Sequence, residues 1–304
     1  CEPEANERVI IRFRTGKDNV EKVFLVVGDE MMTMRKAFYV DLFDYYEVEL
    51  QLTEEKVSYF FEVVSGDEIW FYNREGAVKA ISENFNFVIT PGFSTPNWAK
   101  GAIFYQIYVD RFFNGDVTND VLDREYFYIG GGTKKVEDWY KYPDSFGVRE
   151  FYGGDLAGVL QKLDYLENLG VEVIYLNPIF VSPSNHKYDA QDYDYVDPHL
   201  GVIVEDGGQL LSKDAYSNQQ ATKYIKRVTD KKNLEASNAF FIQLVEEIHS
   251  RGMKVILDGV FNHCGSFHKW LDREGIYKEA GTYEKGAFHD KNSPYRSFFH
   301  FKED

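Results

Sequence analysis

Asp258, Asn262 and His263 stand close together at the end of an apolar run, residues 253–257. A carboxylate, an amide and an imidazole can orient a cation, bond a hydroxyl or carry a proton. An uninterrupted apolar run of this length is what a strand buried on both faces looks like. In a barrel of parallel strands, the C-terminal strand ends are where chemistry sits. The competing reading is that Asp258 and His263 are loop polar groups with local hydrogen bonds. A second cluster, Ser184-Asn185-His186-Lys187-Tyr188-Asp189, follows another apolar run. A third gathers Asn114, Asp116, Asn119 and Asp120 on a turn bent at Gly115.

The elements that must position these clusters repeat one pattern. Leu156, Val159, Leu160, Leu163, Leu166 and Leu169 fall at helical spacing, and Gly170 is placed to end the helix. The apolar run 171–176 follows, stopped by Asn177-Pro178. Phe240, Phe241, Leu244, Val245 and Ile248, closed by Gly252, predict a second helix before the run at 253. Upstream, residues 102–109 are another apolar strand candidate, ending in Asp110-Arg111. Strand, helix, strand, helix, strand is a β/α alternation, and right-handed crossovers make its sheet parallel. Residues before about 90 differ: the segments 9–15, 21–27, 45–52, 57–64 and 68–73 are short, β-rich and broken by glycine or polar turns. They predict an antiparallel β-sandwich over 1–92, joined to 93–304 by a linker around Pro91-Gly92 and Pro96.

Six motifs carry a resemblance. IFYQIYVDRFFNGD, FYGGDL, IYLNPIF, SNHKYDAQDY, DPHLG and KVILDGVFNH resemble, in order, landmarks of the α-amylase family (glycoside hydrolase family 13). The branch they are most similar to is that of cyclomaltodextrinase, neopullulanase and maltogenic amylase. The resemblance implies a multidomain β and α/β fold: an N-terminal sandwich, then the first part of a TIM (β/α)8 barrel, broken off in the excursion after the third strand, which 263–304 would begin. It also implies an α-glucan hydrolase acting on α-1,4 bonds of cyclodextrins, pullulan or maltooligosaccharides with retention. The family's nucleophile Asp and acid Glu follow its fourth and fifth strands. They are expected beyond residue 304, with no catalytic residue in this chain and no hydrolysis by the chain alone. A non-catalytic glucan-binding protein is the alternative.

By the same resemblance, His186 and His263 bond sugar hydroxyls, Tyr188 stacks on a sugar face, Asp258 orients an arginine near the nucleophile, and Asn262 is structural in its loop. A ring laid against the apolar side of glucose buries area while leaving the hydroxyls free. Lys187 and Asp192 read as solvated surface. Calcium wants six to eight oxygens on a flexible turn. Asn114, Asp116, Asn119 and Asp120 can supply several, and the resemblance adds Gly153 and Asp155. The competing reading is an Asx-rich turn with Asp155 capping the helix at Leu156. The sandwich resembles a starch-binding-type module that helps form a homodimer. Residues 202–235 depart from the family as a long polar insertion, a reshaped cleft or a mobile loop.

Composition agrees. The 304 residues suffice for two domains with a substantial core. A formal charge of −16 argues against nucleic acid, whose binding rests on Lys and Arg, but not against a neutral sugar. No run of about 18 apolar residues predicts a membrane helix. Two cysteines, Cys1 and Cys264, make no disulfide framework, and a cytoplasmic location is the default expectation.

Overall fold

The computed structural model describes residues 2–302. Cys1 of the cysteine reading lies outside them. The chain divides into two compact units, Cys1–Lys100 and Gly101–Asp304. The first unit thus takes in the stretch that reads as a linker.

The first unit is all β. Its strands are β1 (Arg8–Gly16), β2 (Lys22–Val27), β3 (Glu30–Val40), β4 (Phe43–Gln51), β5 (Val57–Ser65), β6 (Glu68–Asn73), β7 (Gly76–Val78) and β8 (Phe87–Ile89). They pair antiparallel in the order β1-β4-β3-β2-β5-β6-β7, with β8 on β5. The sheet folds over through β3, whose first half pairs with β2 and whose second half pairs with β4, across a register shift between Lys36 and Phe38. Val23, Leu25, Phe61 and Val63 on one side meet Ile11, Tyr46 and Leu50 on the other, which is the sandwich core. Sequence patterning missed β3. Met34 is its one buried residue, so it has no inward face to alternate.

The second unit carries three parallel strands: Phe104–Ile107, Val173–Leu176 and Lys254–Leu257. The middle one pairs with both others in matched register, Leu176 opposite Ile107 and opposite Leu257. All three C-terminal ends therefore lie side by side. Around this sheet pack Leu156, Val159, Leu163 and Leu166, together with Leu244 and Ile248. The first helical run is two short helices, α1 (Leu156–Gln161) and α2 (Leu163–Asn168), broken at Lys162, with Gly170 at φ +82° closing the second. Leu169 is off the buried stripe and exposed.

The insertion is not a loose loop. It contains α3 (Thr222–Thr229), which buries Tyr224, Ile225, Arg227 and Val228. Its end is the first turn of α4 (Lys231–Ser250), which starts well before the predicted helix. Asp230 caps α4 by accepting from the Lys232 amide at 3.0 Å. The first turns bury Asn233 and Ser237, which bond backbone at Val202, Val204 and Glu205. With Leu234 the one buried apolar residue between Asn233 and Ser237, these turns give too little apolar periodicity to read.

Candidate functional site

Register brings the two candidate loops together. The Asp258 amide donates to the Leu176 carbonyl at 3.0 Å, so the loops leaving the second and third strands start adjacent. Across them the Tyr188 hydroxyl donates to Asp258 Oδ2 at 2.7 Å. Burial first, then the bond to Asp258 and its charge, push the Tyr188 phenol up to about 12. It is a fixed donor at neutral pH. Tyr175, which the sequence reading left out, is raised by burial and by the same carboxylate. The His186 ring lies 6.0 Å from that of Tyr188, and its Nδ1 accepts the Tyr188 amide at 3.1 Å. Burial lowers the His186 pKa, favouring a neutral ring able to bond a hydroxyl.

His263 is exposed on the same end of the sheet. Among the described residues, no hydrogen bond or ring contact joins its side chain to His186, Tyr188 or Asp258. The Asn262 amide meets its Nδ1 at 3.1 Å. The loop itself is held by Tyr193, whose hydroxyl reaches the carbonyls of Val260 (2.7 Å) and His263 (2.6 Å). Asn262 therefore touches the His263 ring, and Tyr193 does the structural work expected of Asn262.

The loop 182–189 is built on charge. Lys187 has φ +62° and a buried side chain, 3 % exposed, so its reading as solvated surface is wrong. Its Nζ donates to the Ser182 carbonyl at 2.8 Å and to Asp197 Oδ2 at 2.6 Å. Asp197 Oδ1 meets His199 Nδ1 at 3.0 Å, and His199 Nε2 meets Glu125 Oε1 at 2.8 Å. Arg227 from the insertion bonds Glu125 Oε2 at 3.1 Å and then Asp206 at 3.0 Å. From Lys187 to Arg227 every member is buried. Burial alone would lower the His199 pKa, but Glu125 and Asp197 on either side raise it. Burial would raise Asp197, yet Lys187 and His199 hold it well below the carboxylate range. Asp192 was also misread: it is buried, with Lys269 Nζ at 2.6 Å. Asn185 is pinned by the Tyr108 hydroxyl (2.7 Å) and by the carbonyls of Gly147 and Glu150 (2.8 and 2.9 Å).

The oxygen-rich turn is divided in its fit to a cation. Asp155 Oδ1 accepts from the amides of Gly158 (2.6 Å) and Gly115 (3.1 Å). Its Oδ2 accepts from the Asp116 amide (2.8 Å) and Asn119 Nδ2 (3.2 Å). A carboxylate offers about four lone-pair sites. All are taken, so Asp155 is the cap of α1 and leaves no oxygen for a metal. Asp116 Oδ1 closes a local turn with Thr118. By contrast, Asn114 Oδ1, Asn119 Oδ1 and Asp120 Oδ2 are buried oxygens without a hydrogen-bond partner. Asn114 Nδ2 bonds Asp120 Oδ1 at 2.8 Å, which sets these two side by side. Gly153, at φ +81°, covers the pair. A Cβ there would come within 2.3 Å of Asp120 Oδ1 and 2.4 Å of Asn114 Nδ2. Among the described residues, no three His, Cys, Asp or Glu side chains cluster as a metal site, so any cation here would rest chiefly on amide and carbonyl oxygen.

Comparison with known proteins agrees with this architecture. The family described as "Alpha amylase, catalytic domain" matches residues 106–220 and 236–304, and "Alpha amylase, N-terminal ig-like domain" matches 1–91. The chain belongs to the alpha-amylase family. It is 35% identical over 292 residues to an amylopullulanase of Thermoanaerobacter thermohydrosulfuricus, covering 86% of this chain and 17% of that protein. It is 32% identical over 279 residues to a cyclomaltodextrinase of Thermoanaerobacter pseudethanolicus, covering 86% and 40%. Among solved structures, the type III pullulan hydrolase from Thermococcus kodakarensis is similar at TM-score 0.55 and 27% identity, over 99% of this chain and 45% of that one. The chain spans less than half the length of each of these relatives. The stretch 221–235, which holds α3, lies outside the family match. Among the described residues, no helix is long and apolar enough to cross a membrane.

Proposed function

We propose that the chain supplies the sugar-holding part of an α-glucan hydrolase site, in a protein that cleaves α-1,4 bonds of cyclodextrins, pullulan or maltooligosaccharides with retention. The observation that carries this reading is the 2.7 Å bond between Tyr188 and Asp258. It fixes the edge of a part-exposed phenol ring at the joined C-terminal ends of two parallel strands and leaves the ring face available. A sugar stacked on that face would meet His186 beside it, with His263 on the same rim. Retaining hydrolysis needs a nucleophile and an acid carboxyl about 5 Å apart. The residues assigned here bind and orient, and neither of those two roles is given to them. The names of the relatives support the substrate class. Titration with maltotriose or acarbose tests the reading: Tyr188→Ala and His186→Ala are each expected to weaken binding at least tenfold. Wild-type affinity in both variants would overturn it.

We further infer a calcium ion at the turn after the first parallel strand, held by Asn114, Asn119, Asp120 and the Gly153 carbonyl. Two buried amide oxygens without partners, Asn114 Oδ1 and Asn119 Oδ1, beside the buried Asp120 carboxylate support it. The ion would tie the turn to the residues leading into α1 and stabilise them. It would take no part in bond cleavage. Chelation is expected to lower the melting temperature and calcium to restore it. A response unchanged in Asp120→Asn would remove the assignment.

A further inference from the structure

The turn at Asn114–Asp120 already holds a cation of the chain's own. Lys135 Nζ stands 3.0 Å from Asp120 Oδ2 as an ion pair. The Lys135 backbone is anchored: residues Lys134–Lys135 pair parallel with Glu150–Phe151, and the Lys135 amide donates to Asp123 Oδ1 at 2.8 Å. Only the side chain reaches inward, and it is 28% exposed, so an outward rotation meets solvent. Lysine suits such a role, being a compact point charge on a flexible stem.

Charge counting makes the position decisive. Affinity for a hard cation follows the number and charge of its oxygen ligands. Asp155 has no lone pair to give, and Asp116, engaged with Thr118 through Oδ1, is only part-buried. Asp120 Oδ2 is then the buried carboxylate oxygen in the cluster whose close partner is a cation rather than a backbone or amide donor, and Lys135 neutralises it. A divalent ion on that oxygen with the ammonium still beside it would set like charges against each other at short range in a poorly solvated pocket. We propose that Lys135 and a divalent cation are alternative occupants of the Asp120 pocket, so that metal entry requires the lysine to swing out. This rests on the calcium reading above. It adds that the turn keeps its shape without metal and that Lys135, rather than the oxygen set alone, sets the affinity.

Two measurements on the 304-residue chain test this. The first is amine acetylation of the wild-type protein, read peptide by peptide by mass spectrometry with and without calcium. Modification of Lys135 is expected to rise several-fold in calcium while that of exposed Lys285 stays level. Labelling of Lys135 that does not change at saturating calcium overturns the exchange. The second is calorimetric titration of calcium into wild type, Lys135→Gln, Lys135→Arg and Asp120→Asn. Lys135→Gln is expected to bind at least tenfold more tightly than wild type and to melt lower in chelator. Lys135→Arg should stay near wild type, and Asp120→Asn should lose binding. Equal affinity in wild type and Lys135→Gln, with Asp120→Asn defective, sinks the lysine exchange and leaves the calcium site standing. No binding at millimolar calcium in any form removes both.

Discussion

Replacing Lys187 with methionine removes the cation from a buried carboxylate while keeping most of the side-chain volume. Asp197 is fully buried and takes four donors: Lys187 Nζ (2.6 Å), His199 Nδ1 (3.0 Å), the His199 amide (2.9 Å) and the Ser182 amide (3.0 Å). Breaking a buried ion pair from one side costs about 3–5 kcal/mol, chiefly because the remaining charge is stranded. Three of the four donors survive here, so the low end applies, about 3 kcal/mol. The backbone adds a second handle. At φ +62° a residue with a Cβ is strained by about 1 kcal/mol relative to glycine. Lys187→Gly should therefore be about 1 kcal/mol less destabilising than Lys187→Ala. For a unit of this size each kcal/mol moves the melting temperature by about 2–4 °C.

Scanning calorimetry should thus show the transition of the second unit about 6–12 °C lower in Lys187→Met, with that of the sandwich unmoved. Adding Asp197→Asn should recover part of the loss, since it removes the stranded charge. A shift under about 2 °C in Lys187→Met, together with strict additivity in the double variant, would refute the reasoning.

Further outcomes follow from neighbouring groups. Tyr188→Phe deletes a hydrogen bond to a carboxylate, worth about 1.5–3 kcal/mol of stability, while keeping the ring. It should lower the melting temperature and weaken maltotriose binding less than Tyr188→Ala, as calorimetry and titration would show. His199 has a raised folded pKa, so its contribution is full below about 6.5 and is lost as pH rises through the higher folded value. Asp197 and Glu125 are depressed, so theirs is present above about 4 and lost on acidification. Melting temperature against pH should fall on both sides, and His199→Gln should flatten the alkaline side. His268 is fully buried and held at about 4, so its contribution is present above about 6.5 and is lost as pH falls towards 4, about 3 kcal/mol in all. His268→Phe should shallow the acid limb of the same curve.

What could be read from the chain was what apolar periodicity and short motifs encode. The parallel strands at 104, 173 and 254 follow apolar runs, and their common register follows from β/α connection. That register alone carries His186, Tyr188 and Asp258 to one end. The failures share a cause. β3 is nearly all exposed and switches partners midway, and the start of α4 buries Asn233 and Ser237. In both, one buried apolar residue, Met34 or Leu234, is too little for the periodicity on which such a reading depends. Asp155 was legible as a cap or as a ligand. Only the count of four donors on its two oxygens decides.

The buried charges are the deeper omission, because no spacing rule pairs positions 125, 187, 197, 199 and 227. Charged residues are almost never fully buried unless paired, so Lys187 taken singly belongs on the surface. Its pairing exists only once the fold closes. That closure also gives the insertion its place. Arg227 and Asp206 come from 202–235, while Lys187 sits between His186 and Tyr188 in chain order. Acidic and basic side chains alternate from the candidate sugar loop to the insertion, and each carboxylate from Asp197 to Asp206 is paired with basic side chains on neighbouring segments. A lysine in left-handed backbone persists when its surroundings over-determine it. Here Asp197 and the Ser182 carbonyl do so, and Arg227 supports them through Glu125 and His199. The segment that looked most like a free excursion is therefore what completes the charge balance beneath the candidate sugar site.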